Sequence, residues 1–524
     1  MIKLKGNVNS HKKKRYTMLN INNNAALRKQ EILVKIAKLQ LEGKLEDGVH
    51  FIPKEMVPKN SPSVRCCVYH DREIVRERVI ARMGFSVEDL DEDKRLSDFA
   101  KEALNREKPT WPILTFINDA CNGCVKTQFV PTNACQACLA RPCKVNCPKQ
   151  AIEIYDHRAH IDPEKCIKCG LCAQNCPYHA IVKVPIPCEE ACPVGAITRN
   201  EETGHEQIDY DKCIFCGKCM SSCPFGAVME KSQLVDVIKH IMDGKKVVAM
   251  YAPAIGAQFK GAKVGQLETA LLQAGFSRVW EVAIGADITA DREAAEFAER
   301  MERGDKMMTT SCCPAYVRAV QIHAPELKEC VSETKSPMIY TAELAKKADP
   351  GCITVFVGPC LAKKREGYDN ELVDYVLSVE EVGALLAAKE IDVSKMEAKP
   401  GKYNPTVSAR NFAKTGGVAE SVKIRLKDAS ILRPVVINGL DKAGVKALQN
   451  YGKINAGTVP APADCPNLIE VMACEGGCIA GPSVIMNPKA GSVLLNMYAN
   501  AGSKELVDGI PPKCDMDEVI KNEK

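Results

Sequence analysis

Thr310-Ser311-Cys312-Cys313-Pro314-Ala315-Tyr316 is the stretch around which the chain is organised, and three other stretches supply what it lacks. Gly358-Pro359-Cys360-Leu361-Ala362-Lys363 and Glu470-Val471-Met472-Ala473-Cys474-Glu475-Gly476-Gly477-Cys478 follow it, and Ala252-Pro253-Ala254 lies upstream as a candidate wall. Four thiolates saturate the outer iron corners of a four-iron four-sulfur (4Fe4S) cluster, and Cys313, Cys360, Cys474 and Cys478 make four. Cys312 is left over. A free thiol beside a ligated one can carry protons, so the stretch reads as a redox site with its own proton donor.

Upstream, sixteen cysteines lie between Cys121 and Cys223, ordered by four copies of a short repeat that begin at Cys147, Cys176, Cys192 and Cys223, each followed by proline. Two complete CxxCxxCxxxCP runs, starting at Cys166 and Cys213, resemble bacterial-type ferredoxins. In those, three cysteines of a run bind one cluster and the fourth reaches into a neighbouring one. The resemblance implies a crossed arrangement. Cys166, Cys169 and Cys172 would go with Cys147; Cys135, Cys138 and Cys143 with Cys176; and Cys213, Cys216 and Cys219 with Cys192. Cys121, Cys124, Cys188 and Cys223 remain for a fourth cluster, with a zinc site or an empty half-fold as the competing readings.

Beyond Met229 short apolar runs of strand length alternate with helix-period stretches. The runs are Val247–Tyr251, Val279–Ile284, Ile353–Val357, Val435–Asn438 and Leu468–Met472; the helical stretches include Gln266–Ala274, Thr289–Met301, Val379–Lys389 and Lys442–Asn450. This alternation predicts parallel sheets covered by helices, with ligands beyond the carboxyl ends of strands. Pro253, Cys360 and Cys474 all follow such runs. Before residue 110 the chain is charged and helical in period, and Cys66-Cys67, with no metal-ligand spacing around it, is expected to be a pair of plain thiols.

The chain of 524 residues exceeds what one core usually serves, and its net charge of +5 gives no reason to posit nucleic acid. Its 27 cysteines, grouped in CxxC clusters, favour metal in a reducing cytosol over disulfides. His11 to Arg15 form a basic run, but the polar Asn20 to Asn24 make no apolar signal core, and no apolar run reaches membrane-spanning length. A cytoplasmic protein without membrane contact is expected.

The three site segments resemble the signatures TSCCPxW, PCxxK and ExMACxGGC of the iron-only (FeFe) hydrogenases, in the same order, as in a divergent, monomeric, ferredoxin-type branch. The resemblance implies an H-cluster: a 4Fe4S cluster joined through Cys478 to a diiron unit bearing carbonyl, cyanide and an azadithiolate bridge. It implies proton relay members at Cys312, Glu293, Glu296, Ser332 and Arg300, an ammonium from Lys363 to a cyanide, and pocket walls at Pro253, Ala254 and Met472. Gly476 and Gly477 are expected to bring backbone N–H groups close to cluster sulfur. Four accessory 4Fe4S clusters would carry electrons from ferredoxin or a similar small carrier, and separate maturation enzymes would install the diiron unit. The fold expected is α+β ferredoxin-like cluster domains followed by a two-lobed α/β H-cluster domain. Its boundaries fall as a helical extension over 1–110, two double-cluster modules over 111–232 and the catalytic domain over 233–524. Tyr316, Gly358, Ala254 and the Gly481-Pro482-Ser483 run depart from the usual pattern. A hydrogen sensor and an iron-sulfur assembly factor are the other readings.

Overall fold

Each CysPro repeat closes on its own sulfur. In the computed structural model, which describes residues 24–504 apart from 89, 92, 122, 123, 125–127, 400 and 402, the amides of Ala151, Ala180, Ala196 and Ala227 donate to the sulfurs of Cys147, Cys176, Cys192 and Cys223 at 3.3, 3.4, 3.2 and 3.3 Å. The turn needs a left-handed residue just before the donor. Gln150, His179, Gly195 and Gly226 fill that place with φ of 49°, 49°, 63° and 59°. The repeat in the sequence is thus a repeated turn.

These turns hang on short strands. β1 (Leu114–Phe116) pairs antiparallel with β8 (Val228–Glu230), and between them come β2 (Gln128–Pro131), the β3–β4 hairpin (Ile152–Tyr155, Arg158–Ile161), β5 (Ile181–Val184) and the β6–β7 hairpin (Ile197–Arg199, Glu206–Ile208). β2 pairs antiparallel with β5, Gln128 opposite Val184. One ferredoxin-like unit, β2 to β5, is therefore nested inside another, because the strands that close the outer unit lie on either side of it. Position along the sequence alone does not show this.

After β8 come two parallel sheets. The first has the order β10-β9-β12-β13, from β9 (Val247–Tyr251), β10 (Arg278–Glu281), β12 (Ile353–Val357) and β13 (Tyr375–Leu377). The second has the order β11-β15-β14, from β11 (Met308–Thr309), β14 (Pro434–Asn438) and β15 (Leu468–Met472). All five residues of β9, β12 and β15 are apolar or buried, as strands covered on both faces require. The run Val279–Ile284 is not one strand. β10 ends at Glu281, and Ala283 and Ile284 open the helix Ala283–Arg303. That helix start is buried on all sides, so its apolar run lacks the periodicity that separates helix from strand.

The N-terminal helices Asn24–Leu41 and Val68–Arg82 pack on both later parts of the chain. Lys29 Nζ donates to the Val228 carbonyl at 3.0 Å, and the buried Arg82 reaches Glu230 at 3.2 Å and Glu380 at 3.0 Å. Among the described residues no helix is long and apolar enough to cross a membrane. The basic run 11–15, the segment 20–23 and Cys514 lie outside the described residues.

Candidate metal centre and proton path

Strand ends deliver the site. Ala252 to Ala254 follow β9, Cys312 and Cys313 follow β11, Cys360 follows β12 and Cys474 follows β15. Cys312, Cys313, Cys360 and Cys478 line one cavity of about 90 Å3 together with Pro253, Ala254, Lys363, Phe412 and Met472. Cys474 lies close to Cys360, Cys478 and Cys313 and lines a neighbouring groove. Cys313 and Cys360 each precede a helix, Pro314–His323 and Leu361–Tyr368, so both thiols sit at N-terminal helix ends.

The donor set suits an iron cage. Burial pushes the thiols of Cys360 and Cys478 up to about 12 and about 11, and those of Cys312 and Cys474 well above their usual range. Coordinated iron supplies the positive charge that turns such buried thiols into thiolates. Among the described residues no trio of His, Cys, Asp or Glu side chains is grouped tightly enough for a single metal ion. Lys363 is buried with its Nζ 2.6 Å from Glu366; burial pulls its ammonium down, but Glu366 more than offsets this and keeps it charged.

The amides of the two glycines of the last motif are taken by oxygen acceptors, which corrects the expectation that they point to the sulfurs; only Gly477 is also needed for close packing. Gly476 N–H donates to Asn438 Oδ1 at 2.7 Å and Gly477 N–H to the Cys474 carbonyl at 3.1 Å. Gly477 has φ of 95°, and a Cβ there would lie 2.6 Å from Lys414 Cα. At Gly477 the loop lies too close to the 413–414 backbone for any side chain, whereas Gly476 has open space beside it.

The relay candidates come from one helix and the loop beside it. Glu293 is fully buried on Ala283–Arg303, accepts the Ser311 amide at 3.1 Å, and leaves Oε2 without a hydrogen-bond partner. Burial pushes its carboxyl up to about 8, against the pull of the Ser311 amide. Glu296, one turn on, is hydrogen-bonded by Ser332 Oγ at 2.6 Å, Thr334 Oγ1 at 2.9 Å, the Glu333 amide at 3.0 Å and Arg300 Nε at 2.9 Å. Burial raises it, yet these donors outweigh burial and hold it below the usual carboxylate range. A poised proton holder and an ionised acceptor therefore lie on neighbouring turns. Ser311, Ser332 and Thr334 line a cleft of about 440 Å3. Glu296→Gln keeps the shape but cannot carry a proton; if the residue serves the relay that the resemblance implies, proton-coupled turnover is expected to fall about tenfold or more, with iron content unchanged.

Glu293 also gives a stability signature. The folded chain keeps its proton to about pH 8, whereas the ordinary value is 4.5, so folding takes up a proton between them. Stability from this group is present below the lower value and falls as pH rises through the window. Denaturant midpoints measured from about pH 5 to about pH 8 should fall less steeply in Glu293→Gln than in wild type.

The accessory cysteines fall into four groups. Cys147 lines a small cavity with Cys166, Cys169 and Cys172. Cys143 is pushed up first by burial, then by Cys176, Cys138 and Cys135 beside it. Cys213, Cys216 and Cys192 crowd the buried Cys219, whose thiol burial raises well above its ordinary value. Burial and neighbouring Cys223 and Cys124 raise Cys121, and Cys223 and Cys121 act likewise on Cys188. The third group adjoins the main site, since Cys216 and Cys474 line one groove and Pro482 fills the space a side chain at Gly217 would need.

Sequence reasoning passed over Glu470, Ser311 and Thr334. Glu470 opens the last motif; it is buried on β15, accepts the amides of Gly416 at 2.7 Å and Ala419 at 2.8 Å, and so holds the start of the helix Gly417–Arg425. Its place at the head of ExMACxGGC was the available signal. Thr334 stands two residues after Ser332 with no pattern to mark it. Tyr316, a departure from the motif, is buried with its hydroxyl donating to Thr309 at 2.6 Å. Cys330 and Cys352 are buried, as inert thiols would be, whereas Cys465 is half-buried.

Residues 245–482 match the family described as iron only hydrogenase large subunit, C-terminal domain, and residues 159–182 and 187–227 match 4Fe-4S binding and 4Fe-4S dicluster domains. Iron hydrogenase 1 of Clostridium pasteurianum is 29% identical over 409 residues, covering 67% of this chain and 69% of that protein. The large subunit of a periplasmic iron hydrogenase of Nitratidesulfovibrio vulgaris is 33% identical over 379 residues, covering 62% of this chain and 86% of its own. A cytosolic iron-sulfur cluster assembly factor of Kluyveromyces lactis is 32% identical over 111 residues only, 21% of this chain and 24% of that protein. Ferredoxin-type 4Fe-4S domains joined to a hydrogenase large-subunit domain, in a chain so similar to hydrogenases through most of its length, place this protein in the iron-only hydrogenase family.

Proposed function

We propose that the protein reversibly reduces protons to H2 at an H-cluster, with electrons from a ferredoxin-like carrier. The observation that carries the reading is the single cavity shared by Cys312, Cys313, Cys360, Cys478, Lys363 and Met472. Cys313, Cys360, Cys474 and Cys478 would hold the 4Fe4S part, and Cys478 the diiron unit as well. Lys363 would give an ammonium hydrogen bond to a cyanide while Glu366 keeps it charged, and Pro253, Ala254 and Met472 would wall the diiron pocket. When bound, the cluster supplies the two-electron metal chemistry of H2 formation and cleavage.

The chain moves the protons. Cys312 Sγ holds one beside the cavity, Glu293 Oε2 exchanges with it, and Ser311, Ser332 and Glu296 with Arg300 pass it to water in the cleft. The domains proposed are a helical extension over 1–110, cluster modules over 111–232 and the catalytic domain over 233–524, whose two parallel sheets would be its two lobes.

Electrons would enter at the nested module and leave by the Cys192, Cys213, Cys216 and Cys219 group toward Cys474. The nested module exposes Leu139, Ile167 and Tyr178 beside its cysteines, with Arg141, Lys144, Lys149 and Lys168 around them. Exposed apolar and basic side chains in the module that carries the outermost cysteines suit a small acidic carrier. A reducing cytoplasm suits so many free thiols. The diiron unit would come from separate maturation enzymes.

Infrared spectroscopy of matured protein under H2 tests this. Carbonyl and cyanide bands that shift with the gas, with H2 made from reduced ferredoxin, are expected. Iron in plain clusters without those bands would place the protein with the assembly factors. Bands without ferredoxin-driven turnover would leave a sensor.

A further inference from the structure

Outside the candidate site, Cys66 and Cys67 stand exposed at the start of the helix Val68–Arg82. The sequence predicts two plain thiols, but the fold gives them a partner. Cys66 Sγ lies 3.8 Å from Cys67 Sγ and 3.3 Å from His70 Nδ1 one turn along the helix. His70 Nε2 in turn faces Asp119 Oδ2 at 3.8 Å.

The loop before the helix is held firmly in this shape. Asp71 accepts the amides of Val64 at 2.8 Å and Arg65 at 3.1 Å, folding the loop back on the first turn. Arg65 donates to the Ala120 carbonyl at 2.6 Å and lies 5.1 Å from the Phe225 ring centroid. Two thiols within reach of each other, a base on one of them and free access from solvent make a chemical site.

The two sulfurs are not equivalent. The amides of His70 and Tyr69 at the helix start draw the Cys67 thiol below its ordinary range. The hydrogen bond to Cys67 pushes Cys66 the other way. Cys67 is the one that favours the thiolate, and Cys66 is the one that keeps its proton, shared with Cys67 Sγ while His70 Nδ1 lies 3.3 Å from the Cys66 sulfur.

We propose that Cys66, Cys67 and His70 form a thiol–disulfide exchange site that reduces a small-molecule disulfide. Cys67 Sγ, as thiolate, attacks one sulfur of the substrate disulfide; a Cys67–substrate disulfide forms, the substrate S–S bond breaks, and one thiolate leaves. Cys66 then gives its proton to His70 Nδ1 and attacks Cys67 Sγ. The Cys66–Cys67 disulfide forms, the mixed disulfide breaks, and the second substrate thiolate leaves, with His70 returning the proton to it. Two electrons pass from the protein thiols to the substrate disulfide, which is the oxidant, and no further reagent is consumed. The site needs no metal, so it stands or falls apart from the hydrogenase reading.

The test uses the full-length, iron-loaded protein under anaerobic conditions and a chromogenic nitrobenzoate disulfide. Wild type is expected to release about two equivalents of chromophore in a fast phase, and its tryptic peptide 66–72 to lose two hydrogens in mass. Cys66→Ser should stop at about one equivalent with the nitrobenzoate trapped on Cys67. Cys67→Ser should lose the fast phase. His70→Asn should slow the second release about tenfold while leaving the first unchanged, a split that mere loosening of the loop would not produce. Iron content equal to wild type shows that each variant is folded. A fast phase that survives Cys67→Ser, two equivalents from Cys66→Ser, or wild type with no fast phase overturns the proposal.

Discussion

Cys312→Ala is expected to carry its full iron and its carbonyl and cyanide infrared bands, yet to lose H2 turnover roughly a hundred- to ten-thousand-fold. The reason lies in where the thiol stands. Cys312 lines the same cavity as Lys363 and Met472, while its neighbour Cys313 belongs to the proposed cluster ligands. Burial around the Cys312 sulfur pushes its thiol well above the ordinary range and keeps the proton on. Alanine would remove the proposed last proton carrier, which lines the cavity itself, without touching any of the four proposed ligand sulfurs. Cys312→Ser keeps a hydroxyl in place but binds its proton far more tightly, so it should also be severely slowed. Wild-type rates in the alanine variant would remove Cys312 from the proton route, and loss of the infrared bands would make it a structural residue instead.

Arg82→Ala is expected to cost about 3–5 kcal/mol of stability, because it leaves buried carboxylates without their cation. Arg82 is fully buried at the end of an N-terminal helix and binds Glu230 on β8 and Glu380 on the helix Val379–Ala388. Burial works against its charge, but Glu380 and Glu230 outweigh that. Glu230 also takes hydrogen bonds from Ser378 at 2.8 Å and Ser483 at 3.4 Å. One side chain thus joins the helix Val68–Arg82, the strand β8 and the helix Val379–Ala388. Denaturant unfolding followed by the fluorescence of Trp111 and Trp280 should show the lowered midpoint. Adding Glu380→Gln should restore part of the loss, since it removes one of the stranded charges. A midpoint unchanged in Arg82→Ala would mean that the extension is not clamped there.

The sequence by itself determined the elements whose pattern is local. β9, β12 and β15 were legible because strands buried on both faces read as short, mainly apolar runs, interrupted here only by Thr354 in β12 and Glu470 in β15. The CysPro repeats were legible because each is a turn closed on its own sulfur, which needs only five residues. The family was legible because three ordered motifs must each place a sulfur after a strand. What depends on contact between distant segments was not legible. β10 ends at Glu281 because a buried helix begins there, and an apolar run does not say which side of that boundary it is on. The nesting of one ferredoxin-like unit in another rests on β1 meeting β8, more than a hundred residues apart. The use of Gly477 comes from the backbone at 413–414, and the partners of Glu296 come from a loop that no periodicity marks. His70 was in plain view four residues after Cys66, but only the helical turn brings its ring to that sulfur. Tertiary structure decided these points because burial and hydrogen-bond pairing are set by which surfaces meet, and local pattern carries no record of that.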